Sequence, residues 1–109
     1  MSTQTPEITL DQLETAMRDG AAVIDVREPS EYAEAHVPGA QPMPMSQLGN
    51  RLAELDRTAP IYVVCASGNR SAAMTDLLVA SGLDAYSVAG GTSGWIRSGR
   101  EVVTGAHPR

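Results

Sequence analysis

Lysine and phenylalanine are absent from this 109-residue chain, and cysteine occurs once, as Cys65. A single cysteine excludes an internal disulfide and a Cys-x-x-Cys redox pair. It also makes a reducing, cytoplasmic setting the expectation. With no Phe, the core must be aliphatic, built from Val, Leu, Ile, Ala and Met. The basic residues are eight, all Arg, against 13 acidic ones, and the formal net charge is -5. An acidic chain without a basic run does not suit nucleic acid. No apolar stretch approaches the roughly 20 residues of a spanning helix, so no membrane is expected. Residues 1–7 lack the basic and apolar regions of a signal peptide. The two histidines, His36 and His107, stand far apart and form no metal-binding spacing. No metal and no cofactor is therefore expected.

What is present fits one globular domain spanning residues 1–109, with a core over about 7–98 and loose tails. Thr9 and Gln12 form a capping-box pattern, and Ile8 with Leu13 has the spacing of a hydrophobic staple. Leu10, Leu13 and Met17 then recur at helical spacing up to Gly20. Residues 22–26 form a short apolar run, the pattern of a strand covered on both faces. Pro29 suits the first turn of a short helix. Residues 40–43 read as a brief edge strand, limited by Pro42 and Pro44. Ser46 is placed to cap a helix through Leu48, Leu52 and Leu55.

Residues 61–64 carry the clearest strand signal in the chain. A helix follows from Arg70 or Ser71, with Met74, Leu77, Leu78 and Ser81 on one face and Gly82 as its stop. Residues 85–88 read as another strand. Gly90 and Gly91 break it, and Thr92 or Ser93 caps a last short helix bearing Trp95. Strands alternating with helices imply an α/β domain with a central parallel sheet and helices on both faces.

Ligands in such sheets bind beyond the carboxyl ends of the strands. Cys65 lies at such an end, just ahead of a helix. Gly68 frees the loop backbone, and Ala66, Ser67 and Asn69 are small enough for successive amides to converge on one point. The helix dipole and the Arg70 guanidinium would add positive potential there. Together these features favour a thiolate at Cys65. A lone cysteine is more often an inert core residue, but the flanking Gly68 and Arg70 at a strand-to-helix junction argue otherwise. Ser71 alone reads as capping chemistry. Asp25 and Arg27 end another central strand, where they either steer a substrate or form a structural ion pair behind the site. His36 reads as a ring fixed by hydrogen bonds beside the Pro38–Gly39 turn rather than as a proton shuttle. Trp95 reads as core cover, Met43 and Met45 as gap fillers, and the acidic residues as a solvated surface.

Residues 65–71, Cys-Ala-Ser-Gly-Asn-Arg-Ser, resemble the active-site loop of the rhodanese family. The resemblance extends over about residues 7–98. It includes Val23-Ile24-Asp25-Val26-Arg27-Glu28, Tyr32, His36-Val37-Pro38-Gly39-Ala40, and Gly90-Gly91 with Trp95. Ala35, where the family has Gly, and the Pro-free stretch 100–103 depart from the pattern away from the loop.

The resemblance implies a thiosulfate sulfurtransferase in which Cys65 carries a sulfane sulfur as a persulfide. The donor would be thiosulfate or a similar small molecule. The acceptor would be cyanide, a thiol or a thiol-bearing partner protein. Residues 66–70 would cradle the sulfur, with Arg70 closing the loop and Asp25, Arg27 and Ser71 in support. Six residues from Cys65 to Arg70 favour sulfur over the seven-residue loops of phosphatases and arsenate reductases on the same fold. A binding or relay module that hands sulfur to a partner is the other alternative. The chain is expected to be a monomer or weak dimer.

Overall fold

The computed structural model describes residues 4–109. Five strands form one all-parallel sheet: β1 (Glu7–Ile8), β2 (Ala22–Asp25), β3 (Gln41–Pro42), β4 (Ile61–Val64) and β5 (Ala85–Val88), in the order β1-β5-β4-β2-β3. Five helices connect them: α1 (Leu10–Arg18), α2 (Pro29–Glu34), α3 (Met45–Leu48), α4 (Asn69–Ala80) and α5 (Gly91–Arg97). The expected single α/β domain is the one observed. Among the described residues, no helix is long and apolar enough to cross a membrane.

Side-chain alternation along the central strands makes two apolar layers. Ile24, Ile61 and Val63 face one side, where Leu48 of α3 and Leu78 of α4 cover them with Leu52, Leu55 and Met74. Val23, Tyr62, Val64 and Val88 belong to the other layer, with Leu10 and Leu13 of α1 and Trp95 of α5. Helices thus lie on both faces, and both layers are almost wholly aliphatic. Fully burying one Leu in such a layer contributes roughly 1.5–3 kcal/mol.

The capping box forms as read. Gln12 N donates to Thr9 Oγ1, and Thr9 N donates to Gln12 Oε1. Pro29 opens α2 at its first turn. Elsewhere the elements differ from expectation. Ser46 lies inside α3, whose N-cap is Pro44, and the run to Leu55 breaks after Leu48 into a separate 3-10 turn over Leu52–Glu54. Gly90, not Thr92 or Ser93, caps α5. On α4 it is Ser71, Thr75 and Leu78 that are buried, while Leu77 is exposed; Met45 is exposed too.

The segment after Gly99 is docked rather than loose. His36 and Val103 exchange a pair of backbone hydrogen bonds. Gly105 N donates to Ala33 O, and Gly39 N donates to Pro108 O. Trp95 Nε1 donates to Glu101 O. His36 is fully buried, stacked on Tyr32 at 3.7 Å, with Nδ1 2.8 Å from Tyr32 O.

Candidate active site

β4 is covered on both faces and delivers Cys65 at its carboxyl end, 1% exposed. The chain cannot extend the sheet further, because Gly68 takes φ +115 and caps α4. That left-handed conformation suits glycine, since a Cβ there would be strained. It turns the Gly68 amide back to within 3.1 Å of Cys65 Sγ. One turn into α4, Ser71 Oγ lies 3.4 Å from the sulfur and 3.2 Å from the Gly68 carbonyl.

The loop is also held from outside. Thr92 N donates to Cys65 O at 2.8 Å and Ser93 N to Ala66 O at 2.9 Å. These bonds turn the first two loop carbonyls towards the start of α5. Gly91 makes the approach possible: it sits at φ +56, and a Cβ on it would lie 2.6 Å from both carbonyl oxygens. The Gly90–Gly91 pair therefore braces the loop as well as ending β5.

Burial is the largest single influence on the Cys65 thiol and pushes its pKa up. The Ser71 hydroxyl and the amides of Ser71, Gly68 and Ser67 act in the opposite direction. Together they outweigh burial and bring the thiol below its ordinary value of 9.0. The thiolate is thus favoured chiefly by short-range hydrogen-bond donors.

Arg70 is engaged elsewhere. Its Nη1 and Nη2 donate to Glu31 Oε1 and Oε2 of α2, both at 2.8 Å. This hydrogen-bonded guanidinium holds the Glu31 carboxyl down at about 2. Arg70 therefore ties the loop helix α4 to α2. The strongest opposing influences on the thiol are the hydrogen-bond donors, while the Arg70 charge, shared with Glu31, acts on Cys65 through space. Glu31, read from the sequence as solvated surface, is corrected to a partner of the loop.

Asp25 and Arg27 grip one another in the interior. Arg27 Nε and Nη2 donate to the Asp25 carboxylate at 2.8–3.1 Å, and Nη2 also donates to Ala35 O at 2.8 Å. The pair joins the end of β2 to the end of α2. Of the loop residues, Ser67 and Asn69 are exposed and Ala66, Gly68 and Arg70 are half-buried, so they form the rim above the sulfur.

A cavity of about 470 Å³ is lined by Ala22, Ile61, Arg51 and Leu55 around the amino ends of the strands, away from Cys65. Among the described residues, no cluster of His, Cys, Asp or Glu could hold a metal ion.

Residues 9–98 match the family model of the rhodanese-like domain. The chain belongs to the rhodanese-like domain family. It is 37% identical over 84 residues to the thiosulfate sulfurtransferase GlpE of Pseudomonas putida, an overlap covering 76% of each chain. Its fold is similar to the crystal structure of a rhodanese-related protein from Thermoplasma volcanium, at TM-score 0.84 and 35% identity, over 90% of this chain and 97% of that one. A rhodanese-like domain protein from Staphylococcus aureus is similar at TM-score 0.81 and 32% identity, over 91% and 97%. Within the rhodanese-like domain, the six-residue turn beginning at Cys65 is the candidate centre, and Gly91 and Glu31 are the supports whose roles sequence reasoning missed. Gly91 alone left a local signal, as half of a Gly-Gly pair.

Proposed function

We propose that this chain is a sulfurtransferase that moves a sulfane sulfur through a persulfide on Cys65, with thiosulfate as a working donor. The observation that carries the reading is the sulfur atom's setting. Cys65 Sγ ends a buried strand under a Gly68 amide at 3.1 Å and the Ser71 hydroxyl at 3.4 Å, in a domain whose curated relatives are thiosulfate sulfurtransferases.

The chemistry divides into two displacements. The Cys65 thiolate attacks the outer sulfur of thiosulfate, a new S–S bond forms, the old one breaks, and sulfite leaves with the bonding pair. The acceptor, cyanide or a thiolate, then attacks the outer sulfur of the persulfide. The Cys65–S bond breaks and its electron pair returns to Sγ. Both displacements place negative charge within the loop, where inward amides stabilise it without reorganisation. No general base is needed, since the inward donors lower the thiol pKa and raise the thiolate fraction.

Residues 66–69 carry no charge, and the Arg70 charge is met by Glu31. The loop thus recognises the transferred sulfur more than the rest of the donor. That supports a small-molecule donor in vitro and leaves room for a thiol-bearing protein as acceptor. A lone unpaired thiol of this kind suits a reducing, cytoplasmic compartment.

The test is thiocyanate formation from thiosulfate and cyanide by wild type and by Cys65→Ala. Turnover that requires Cys65 is expected. Wild-type turnover by the variant, or phosphate ester hydrolysis without any sulfur transfer, would overturn the reading.

A further inference from the structure

Beneath the loop, Ser71 Oγ touches a second buried hydroxyl. Ser87 Oγ of β5 lies 2.8 Å away, and both residues are fully buried. Among the described residues, Ser71 is the one side-chain partner of that hydroxyl. The result is a line of three atoms, Cys65 Sγ, Ser71 Oγ and Ser87 Oγ, with steps of 3.4 and 2.8 Å.

Counting protons fixes what the line can do. A hydroxyl donates once and accepts twice. While Cys65 is a thiol, its S–H donates to Ser71 Oγ, and Ser71 donates to the Gly68 carbonyl or to Ser87. Once Cys65 is ionised the sulfur can only accept. The single Ser71 proton then turns to the sulfur and is lost to Gly68 O and Ser87. The short contact between the two serines survives only if Ser87 becomes the donor.

We propose that Ser87 is a positioning residue for the Cys65 thiolate: its hydroxyl donates to Ser71, which in turn donates to the sulfur. A hydrogen-bonded chain of this kind polarises each member, so Ser87 strengthens a bond it does not itself make. The proposal rests on the reading of Cys65 as the sulfur carrier, because the thiolate is both the attacking group and the group released. The charged groups around the line are Arg70 and Asp76 on α4, Glu31 on α2 against Arg70, the Asp25–Arg27 pair at the end of β2, and exposed Glu7 beside Ser87 on β1. None of them hydrogen-bonds to either serine.

The experiment follows the rate of Cys65 alkylation by iodoacetamide against pH in wild type, S87A, S71A and S71A/S87A, alongside thermal unfolding. This readout needs no sulfur transfer, so it separates failure of the relay from failure of the proposed activity. S87A is expected to move the titration to higher pH and to slow alkylation at neutral pH about three- to tenfold, the scale of one net hydrogen bond. S71A should move it at least as far, and adding S87A to S71A should change nothing more. A folded S87A that titrates like wild type would overturn the proposal. So would an S87A effect undiminished in the S71A background. If S87A fails to fold, S87T keeps the hydroxyl and must reproduce the wild-type titration; a shifted titration there also overturns it.

Discussion

Arg27 and Arg70 each hold a carboxylate through two guanidinium nitrogens, yet the side chains of the Arg27–Asp25 pair are 7% and 0% exposed and those of the Arg70–Glu31 pair 35% and 34%. The same bond has two different uses. Two interior charges have no alternative to one another, so the first pair fixes the junction of β2 and α2. The second pair sits where water can replace either partner. Its contribution is geometrical: it sets α4, and with it the loop, against α2.

Breaking the buried pair should have the largest effect on stability. Asp25→Ala leaves the Arg27 guanidinium buried without its counter-charge, and about 3–5 kcal/mol should be lost in chemical denaturation. Replacing both residues, as in Asp25→Ala with Arg27→Met, should recover part of that loss, because the stranded charge is gone. A double variant no better than the single one would mean that the bond to Ala35 O, and not the ion pair, holds the junction.

Gly91→Ala tests the support that uses backbone alone. A Cβ 2.6 Å from two carbonyl oxygens, at φ +56, must push the loop or α5 aside. A loss of about 1–3 kcal/mol is expected, with a larger proportional loss of sulfur transfer, since the displaced residues are Cys65 and Ala66.

Glu31→Gln should separate the two pairs most sharply. Unfolding free energy should change by about 1 kcal/mol or less. kcat/KM for sulfur transfer should fall roughly tenfold, equivalent to about 1.4 kcal/mol at the transition state. Equal losses of stability and of activity would show that the two pairs do the same work.

The smallest effect is that of acid. Glu31 is held at about 2 against an ordinary 4.5, so its folded-state affinity for protons is depressed. The stabilisation it contributes is complete above about 4.5 and is lost as pH falls from there towards 2. Comparing acid unfolding of wild type and Glu31→Gln should show a difference that narrows over that window.

Much of this was legible in the residue order, for local reasons. Thr9 and Gln12 are three residues apart and announce α1. Residues 61–64 are an unbroken apolar run and announce β4, and Cys65, Gly68 and Arg70 stand together at its end. What was not legible depends on partners far away in the chain. Glu31 meets Arg70 across 39 positions and Ser71 meets Ser87 across 16. Glu31 looked like any surface acid, and Ser87 like one polar residue in a short strand. β1 escaped notice because its two residues pair only with β5 and are masked by the capping pattern that follows. Residues 99–109 looked irregular because much of their order comes from backbone hydrogen bonds to Ala33, His36 and Gly39, which leave no side-chain pattern, and the rest from Arg100 reaching Glu14 far away in the chain.

The most direct test of the central claim is the intact mass of the protein after incubation with thiosulfate and then with cyanide, for wild type and Cys65→Ala. Wild type is expected to gain the mass of one sulfur atom and to lose it to cyanide with release of thiocyanate, while Cys65→Ala gains nothing. No gain by wild type from thiosulfate, mercaptopyruvate or a persulfide donor, or a gain that persists without Cys65, would contradict it.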